Sequence, residues 1–324
     1  MNTISARERS SFRIIATGPG FACGLALALS TVAQADEPQF TPWSAPVNLG
    51  PVVNSSFLDM SPQLSPDGLS LYFSTDRTPS AGDLDIWVSR RACKSCPFEA
   101  PVPLGPHVNS TGADFSPAFS PDGHLLFFAS DRPQEDGFGD TDIWVTFRWN
   151  RRDDFGWLPP VNLGPSVNTI HHEFGPTFLP AKRIFGRHTF LFTRTENTGD
   201  EEQDIYETRI TRQGVVSGPV TEINAPGFLD GEPKLRGDGK EVVFFSQRDG
   251  SINGSVDIWS ATRPHDNAPW STPVNLGSPV NSPFAEIGVG LTFDGTELYV
   301  VKGQQLGGSG LRDIWVSTRE RIDD

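Results

Sequence analysis

Asp85-Ile86-Trp87, Asp142-Ile143-Trp144, Asp204-Ile205-Tyr206, Asp257-Ile258-Trp259 and Asp313-Ile314-Trp315 are one tripeptide met five times, at intervals of 57, 62, 53 and 56 residues. Self-similarity at a near-constant spacing marks a chain built from repeated supersecondary units. Upstream of each copy lies a short apolar run: Leu71-Tyr72-Phe73, residues 125–128, Phe190-Leu191-Phe192, residues 242–245 and residues 298–301. Four of these runs follow a turn: Ser65-Pro66-Asp67-Gly68, Ser120-Pro121-Asp122-Gly123, Arg236-Gly237-Asp238-Gly239 or Thr292-Phe293-Asp294-Gly295. Pro presets the first turn position and Gly takes the left-handed one, so each reads as a hairpin. A further strand pattern is Pro46-Val47-Asn48-Leu49-Gly50, repeated at 101–105, 160–164, 220–224 and 273–277.

Each unit thus holds four short strands rich in aromatic and β-branched residues, and no stretch keeps a helical period. Four-stranded units repeated in this way describe an all-β protein, a β-propeller in which each blade buries its faces against its neighbours. Phase sets the blade number. The pattern opens at Trp43 with a fourth strand and closes at 315–318 with a third. Placing residues 43–50 on the outside of the last blade closes the ring at five and removes an open edge. The aromatic residue of each Asp-Ile-aromatic reads as inter-blade packing.

The run Asp59 to Gly68, then 74–77, then Asp85-Ile86-Trp87 follows the form Asp-x-x-Pro-x-x-Ser-Pro-Asp-Gly, apolar strand, Ser-x-Arg, Asp-Ile-Trp, and residues 114–144 repeat it. In these motifs the chain resembles the TolB-like (WD-type) propeller repeat family. Trp43-Ser44, Pro46 to Gly50 and Val53-Asn54-Ser55 look especially like the propellers of OmpA-family envelope proteins. The resemblance covers 43–318 and implies the fold. Such repeats serve binding, scaffolding and catalysis, so it leaves function open.

The N-terminus reads as a separate segment. Arg7, Arg9 and Arg13 precede an apolar stretch over 21–33, and Ala33-Gln34-Ala35 is a small-x-small cleavage site. This is the layout of a secretory signal peptide over 1–35, leaving 36–324 as the propeller, periplasmic or secreted. The apolar run is too short to span a bilayer. The formal net charge is −14, which disfavours nucleic acid and anionic membrane surfaces as partners. Cys93 and Cys96 have no second Cys pair or nearby His to complete a zinc tetrahedron, and in an oxidising compartment they read as a small local disulfide.

Aligned repeats place one acid just before each innermost strand: Asp59, Asp114, Glu173, Asp230 and Glu286. They read either as a carboxylate ring near the channel mouth, able to recruit a divalent cation, or as acceptors for backbone hydrogen bonds that hold blades together. His171-His172 beside Glu173 breaks the repeat, as does Leu179-Pro180-Ala181-Lys182 in place of the usual turn. A second rim comprises Arg77, Arg132, Arg194 and Arg248, read as structural ion pairs or as readers of carboxylate or phosphate. Residues 149–157 insert two Trp and two Arg, as a partner contact or an aromatic clasp. Two functions follow. One is a binding or scaffold module for a protein or glycan of the cell envelope. The other is a propeller enzyme of glycoside hydrolase, lyase or lactonase type using inward carboxylates.

Overall fold

A computed structural model describes residues 39–133, 138–179, 188–195, 203–211, 216, 218, 220–222, 227–252, 255–265, 268–303 and 308–322. The signal-peptide segment and the aberrant turn at 180–182 lie outside the described residues. Five antiparallel four-stranded sheets follow one another along the chain. Blade one is Asp59–Leu64, Ser70–Thr75, Asp85–Arg90 and Val102–Pro103. Blade two is Asp114–Phe119, Leu125–Ser130, Asp142–Phe147 and Val161–Asn162. Blade three is His172–Leu179, His188–Thr195, Gln203–Ile210 and Thr221–Glu222. Blade four is Asp230–Leu235, Glu241–Ser246, Asp257–Thr262 and Val274–Asn275. Blade five is Glu286–Leu291, Glu297–Gly303 and Arg312–Thr318, with Val47–Asn48 as its outer strand. The five-bladed ring with N-terminal closure expected from the repeat phase is therefore the observed fold.

The second strand of each blade is a continuous apolar run because both of its faces are covered. Ser70–Thr75 and Glu241–Ser246 are buried at every position. The core accordingly lies between blades: Tyr72, Ile86 and Val88 of blade one pack with Phe119, Leu126, Phe128 and Trp144 of blade two. Val-Asn motifs stitch the ring. Asn109, Asn168, Asn281 and Asn54 each accept the amide N–H of the Ile in an Asp-Ile-aromatic strand, at 2.8–2.9 Å. The last of these, Asn54 to Ile314, joins the two ends of the repeat. Asn48 Nδ2 also donates a hydrogen bond to Asp313 Oδ2 at 2.9 Å. A second tie lay outside the repeat pattern: Gln39–Phe40 pairs antiparallel with Arg321–Ile322. Among the described residues no helix is long and apolar enough to cross a membrane.

Candidate functional site

The five repeated carboxylates start the innermost strands and are fully buried. They do not line an open channel. Arg77, Arg132, Arg194 and Arg248 bind Asp59, Asp114, Glu173 and Asp230, the last three at 2.7, 2.7 and 2.6 Å. In blade five the cation is Lys302, 3.1 Å from Glu286, a partner the repeat alignment did not include. The opposite carboxylate oxygens accept backbone N–H groups, such as Ser55 on Asp59 at 2.6 Å and Thr169 on Glu173 at 2.9 Å. Burial pushes the Glu173 and Glu286 carboxyls up, against the pull of Thr169 and Arg194 in one case and Ser282 and Lys302 in the other. Each Arg is also stacked on the aromatic ring of its own Asp-Ile-aromatic, 4.6–5.4 Å from Trp87, Trp144, Tyr206 and Trp259. The two expected rims are thus one set of clamps, four of acid, Arg and aromatic ring and one of Glu286 with Lys302.

The His pair does not join Glu173. His172 Nδ1 lies 3.2 Å from Thr141 Oγ1 and its Nε2 3.5 Å from Asp140, at the exposed rim, whereas the Glu173 carboxylate points inward to Arg194. Successive residues at a strand start face opposite ways, which separates the two groups. Among the described residues, no three His, Cys, Asp or Glu side chains come together to hold a metal. The insertion is largely a clasp. Asp154 accepts Tyr72 Oη at 2.9 Å, Arg90 Nε at 2.7 Å and Arg148 Nη1 at 3.0 Å, and Trp157 is buried beside them. Trp149 stands out at 78% exposed, with Phe155 also exposed. Cys93 and Cys96 are bonded to each other, with Cα atoms 5.0 Å apart.

What breaks the five-fold pattern is at the axis. Two residues into each inner strand stand Ser61, Ser116, Gly175, Glu232 and Gly288, at a bulge where all five take positive φ. That conformation turns the side chain from the sheet toward the axis. Only blade four has a long side chain there. Glu232 Oε1 accepts Ser61 Oγ at 2.5 Å and Ser116 Oγ at 2.9 Å, and Oε2 accepts Val289 N at 3.3 Å. Its own N–H donates to Thr193 Oγ1 at 2.9 Å. One residue of blade four therefore bonds to the other four blades. A Cβ on Gly175 would come within 2.9 Å of Glu232 Cα, and one on Gly288 within 3.2 Å of Glu232 Oε2, so the small neighbours are what admit it. Two residues further on, Lys234 is fully buried, its Nζ 3.4 Å from Pro176 O. Burial pushes its ammonium down, and Glu232 partly offsets this. The signal was present in the aligned column, where one Glu stands among Ser and Gly.

The strand-start side is uneven, with exposed apolar side chains standing among polar ones such as Asp83, Asp140 and His172. Phe57 and Phe284, each two residues before an inner strand, are exposed, as are Leu311 and Ile170. One residue before Glu232's ring, Phe115 and Phe174 are partly exposed with ring centroids 6.3 Å apart. At the start of the third strand of blade five, Arg312 is half-buried; burial lowers its pKa and the charge of Glu232 acts against this.

No protein-family model matches the sequence, and no curated protein matches it by sequence. Solved structures do match. An α-L-arabinofuranosidase from Lactobacillus brevis superposes with TM-score 0.56 at 12% identity, over 85% of this chain and 93% of that one. The catalytic domain of an α-L-arabinofuranosidase from Coprinopsis cinerea gives 0.54 at 9% identity, over 87% and 98%. A TolB-like protein from Agrobacterium tumefaciens gives 0.46 at 14%, over 89% and 100%. At such identities the likeness is one of fold, and with the sheet order above it makes this chain a five-bladed β-propeller.

Proposed function

We propose that this propeller is exported and acts on a glycan at the strand-start side of its ring, as a glycoside-processing enzyme with Glu232 as its acid–base group. The observation that carries the reading is the placement of Glu232. It is the one inner-strand carboxylate free of an Arg or Lys clamp, and it lies buried where the inner strands of all five blades meet, on the side of the ring that carries the exposed Phe57 and Phe284. Two hydroxyls hold its Oε1, which fixes its direction without adding a countercharge. Aromatic side chains at the rim suit the apolar faces of sugar rings. The arabinofuranosidase names of structurally similar propellers support a glycan substrate by analogy of fold. Hydrolysis by a carboxylate pair would take a second carboxylate about 5–9.5 Å away; Asp59, Asp114, Glu173, Asp230 and Glu286 are committed to their clamps, so the reading rests on Glu232 as acid–base group and is not restricted to hydrolysis.

A second reading is a binding module for an envelope glycan or protein, favoured by the three donors that already satisfy Glu232. One experiment separates the two. The protein from residue 36 onward is incubated with a panel of polysaccharides, with product release and retention measured side by side for the parent and for Glu232→Gln. Release of sugar by the parent, lost about 100-fold or more in the variant, supports hydrolysis. Retention without release, weakened in the variant, supports the binding module. Equal behaviour of parent and variant removes Glu232 from the site.

A further inference from the structure

Of the cations at the strand-start mouth, Arg77, Arg132, Arg194, Arg248 and Lys302 are each spent on a buried carboxylate. Arg312 is different. Its counterparts before the other Asp-Ile-aromatic copies are Leu84, Thr141, Gln203 and Val256, so no repeat constraint calls for a cation there. Among the described residues no hydrogen bond, ion pair or ring contact holds its guanidinium, and the charge it senses is that of Glu232.

The backbone explains why the position is open. Arg312 pairs across the sheet with Gly303, and a Cβ on Gly303 would meet nothing within 4 Å. A side chain on the cross-strand partner would stand beside the guanidinium, and among the described residues no atom takes that place. On its other side Arg312 bridges to Leu58, next to the exposed Phe57 ring. A half-buried guanidinium without a partner is costly to keep, which points to a ligand that supplies one.

We propose that Arg312 recognises the carboxylate of a uronic acid residue, making an acidic glycan the substrate or ligand of this mouth. The planar guanidinium matches a carboxylate with two parallel hydrogen bonds, and a phosphate group would bring more charge than one Arg offsets. Phe57 and Phe284 offer the sugar ring its apolar contact. The net charge of −14 repels polyanions as a class, so the acidic group is selected by this one contact and not by a general field. This inference rests on the glycan reading of the mouth.

The test is calorimetric titration of the protein from residue 36 onward with uronic acid oligomers, and with the same oligomers carboxyl-reduced to neutral sugars. The parent should bind the acidic form at least tenfold more tightly. Arg312→Gln should weaken acidic binding about 10- to 100-fold and leave neutral binding unchanged, with Arg312→Lys in between. Equal binding of both forms, or acidic binding unaffected by Arg312→Gln, overturns the proposal. Acidic and neutral binding that both depend on Glu232 and neither on Arg312 overturns it while leaving the glycan site standing. Binding of neither form, or Arg312-dependent capture of acidic peptides alone, overturns it together with the glycan reading. Thermal unfolding of both Arg312 variants, expected to match the parent, separates lost recognition from lost fold.

Discussion

At the scale of single residues, the clamp shows how acid length and cation position are coupled. Where the acid is Asp, the Arg lies 18 residues on and just past the end of the second strand, as in Asp59 with Arg77 and Asp114 with Arg132. Where it is Glu, the cation is on the strand itself: Arg194 for Glu173 and Lys302 for Glu286. One methylene of extra reach makes up the difference. Glu286→Asp should therefore pull the carboxylate from Lys302 and destabilise the fold by about 1–3 kcal/mol in urea unfolding, although the charge is unchanged. A cost near zero would mean the clamp is loosely set. Lys234 gives a pH signature. Its ammonium is pushed below the ordinary value near 10.5, so the folded chain loses this proton before the unfolded chain does. Between the two values the unfolded state holds more protons, and stability rises with pH there. Lys234→Met should flatten that alkaline rise; an unaltered slope would assign it to other groups.

At the scale of elements, the N-terminal strand carries the closure. Val47 and Asn48 pair with Val316 and Trp315, Asn48 reaches Asp313, and Phe40 and Trp43 sandwich the Arg319 guanidinium at 3.9 and 4.2 Å. Deleting residues 36–50 should lower stability by about 2–5 kcal/mol, from two cation–π contacts and a part-buried hydrogen bond. Thermal unfolding that matches the parent would refute this closure. The Cys93–Cys96 link ties a loop of only three residues, so replacing both by Ser should change stability by less than about 1 kcal/mol. Alkylation before reduction should find no free thiol. Strand order and closure were legible because Asp-Ile-aromatic, the Gly turns and Val-Asn recur with the fold. The axial site showed in sequence only as one Glu among Ser and Gly in the aligned column. The positive φ there is shared by all five blades and does not single Glu232 out. Arg132 and Arg194 share a repeat position that Arg312 does not, yet that each is spent on a buried carboxylate is seen only in space.

At the scale of the whole molecule, the two faces of the ring are chemically distinct, and Glu232 closes the passage between them by bonding to all four other blades. The strand-start face carries Phe57, Phe284, Leu311 and Arg312. The opposite face carries the hairpin turns, where Asp67, Asp122 and Asp294 hold their own loops through Ser65, Ser120 and Thr292. Ligand access should therefore be one-sided. This is testable with a bulky thiol-reactive polymer, since Cys93 and Cys96 are bonded to each other and a single introduced Cys takes the label. Asp83→Cys lies exposed in the loop that leads to Asp85 on the first face, and Arg152→Cys lies exposed in the insertion on the second. Labelling at 83 should block glycan binding or turnover several-fold, while labelling at 152 should leave it within about twofold of the unlabelled variant. The unlabelled variants control for the substitutions themselves, and thermal unfolding controls for the polymer. Inhibition from position 152 and none from 83 would move the working site to the hairpin-turn face, where Trp149 would be the first residue to change.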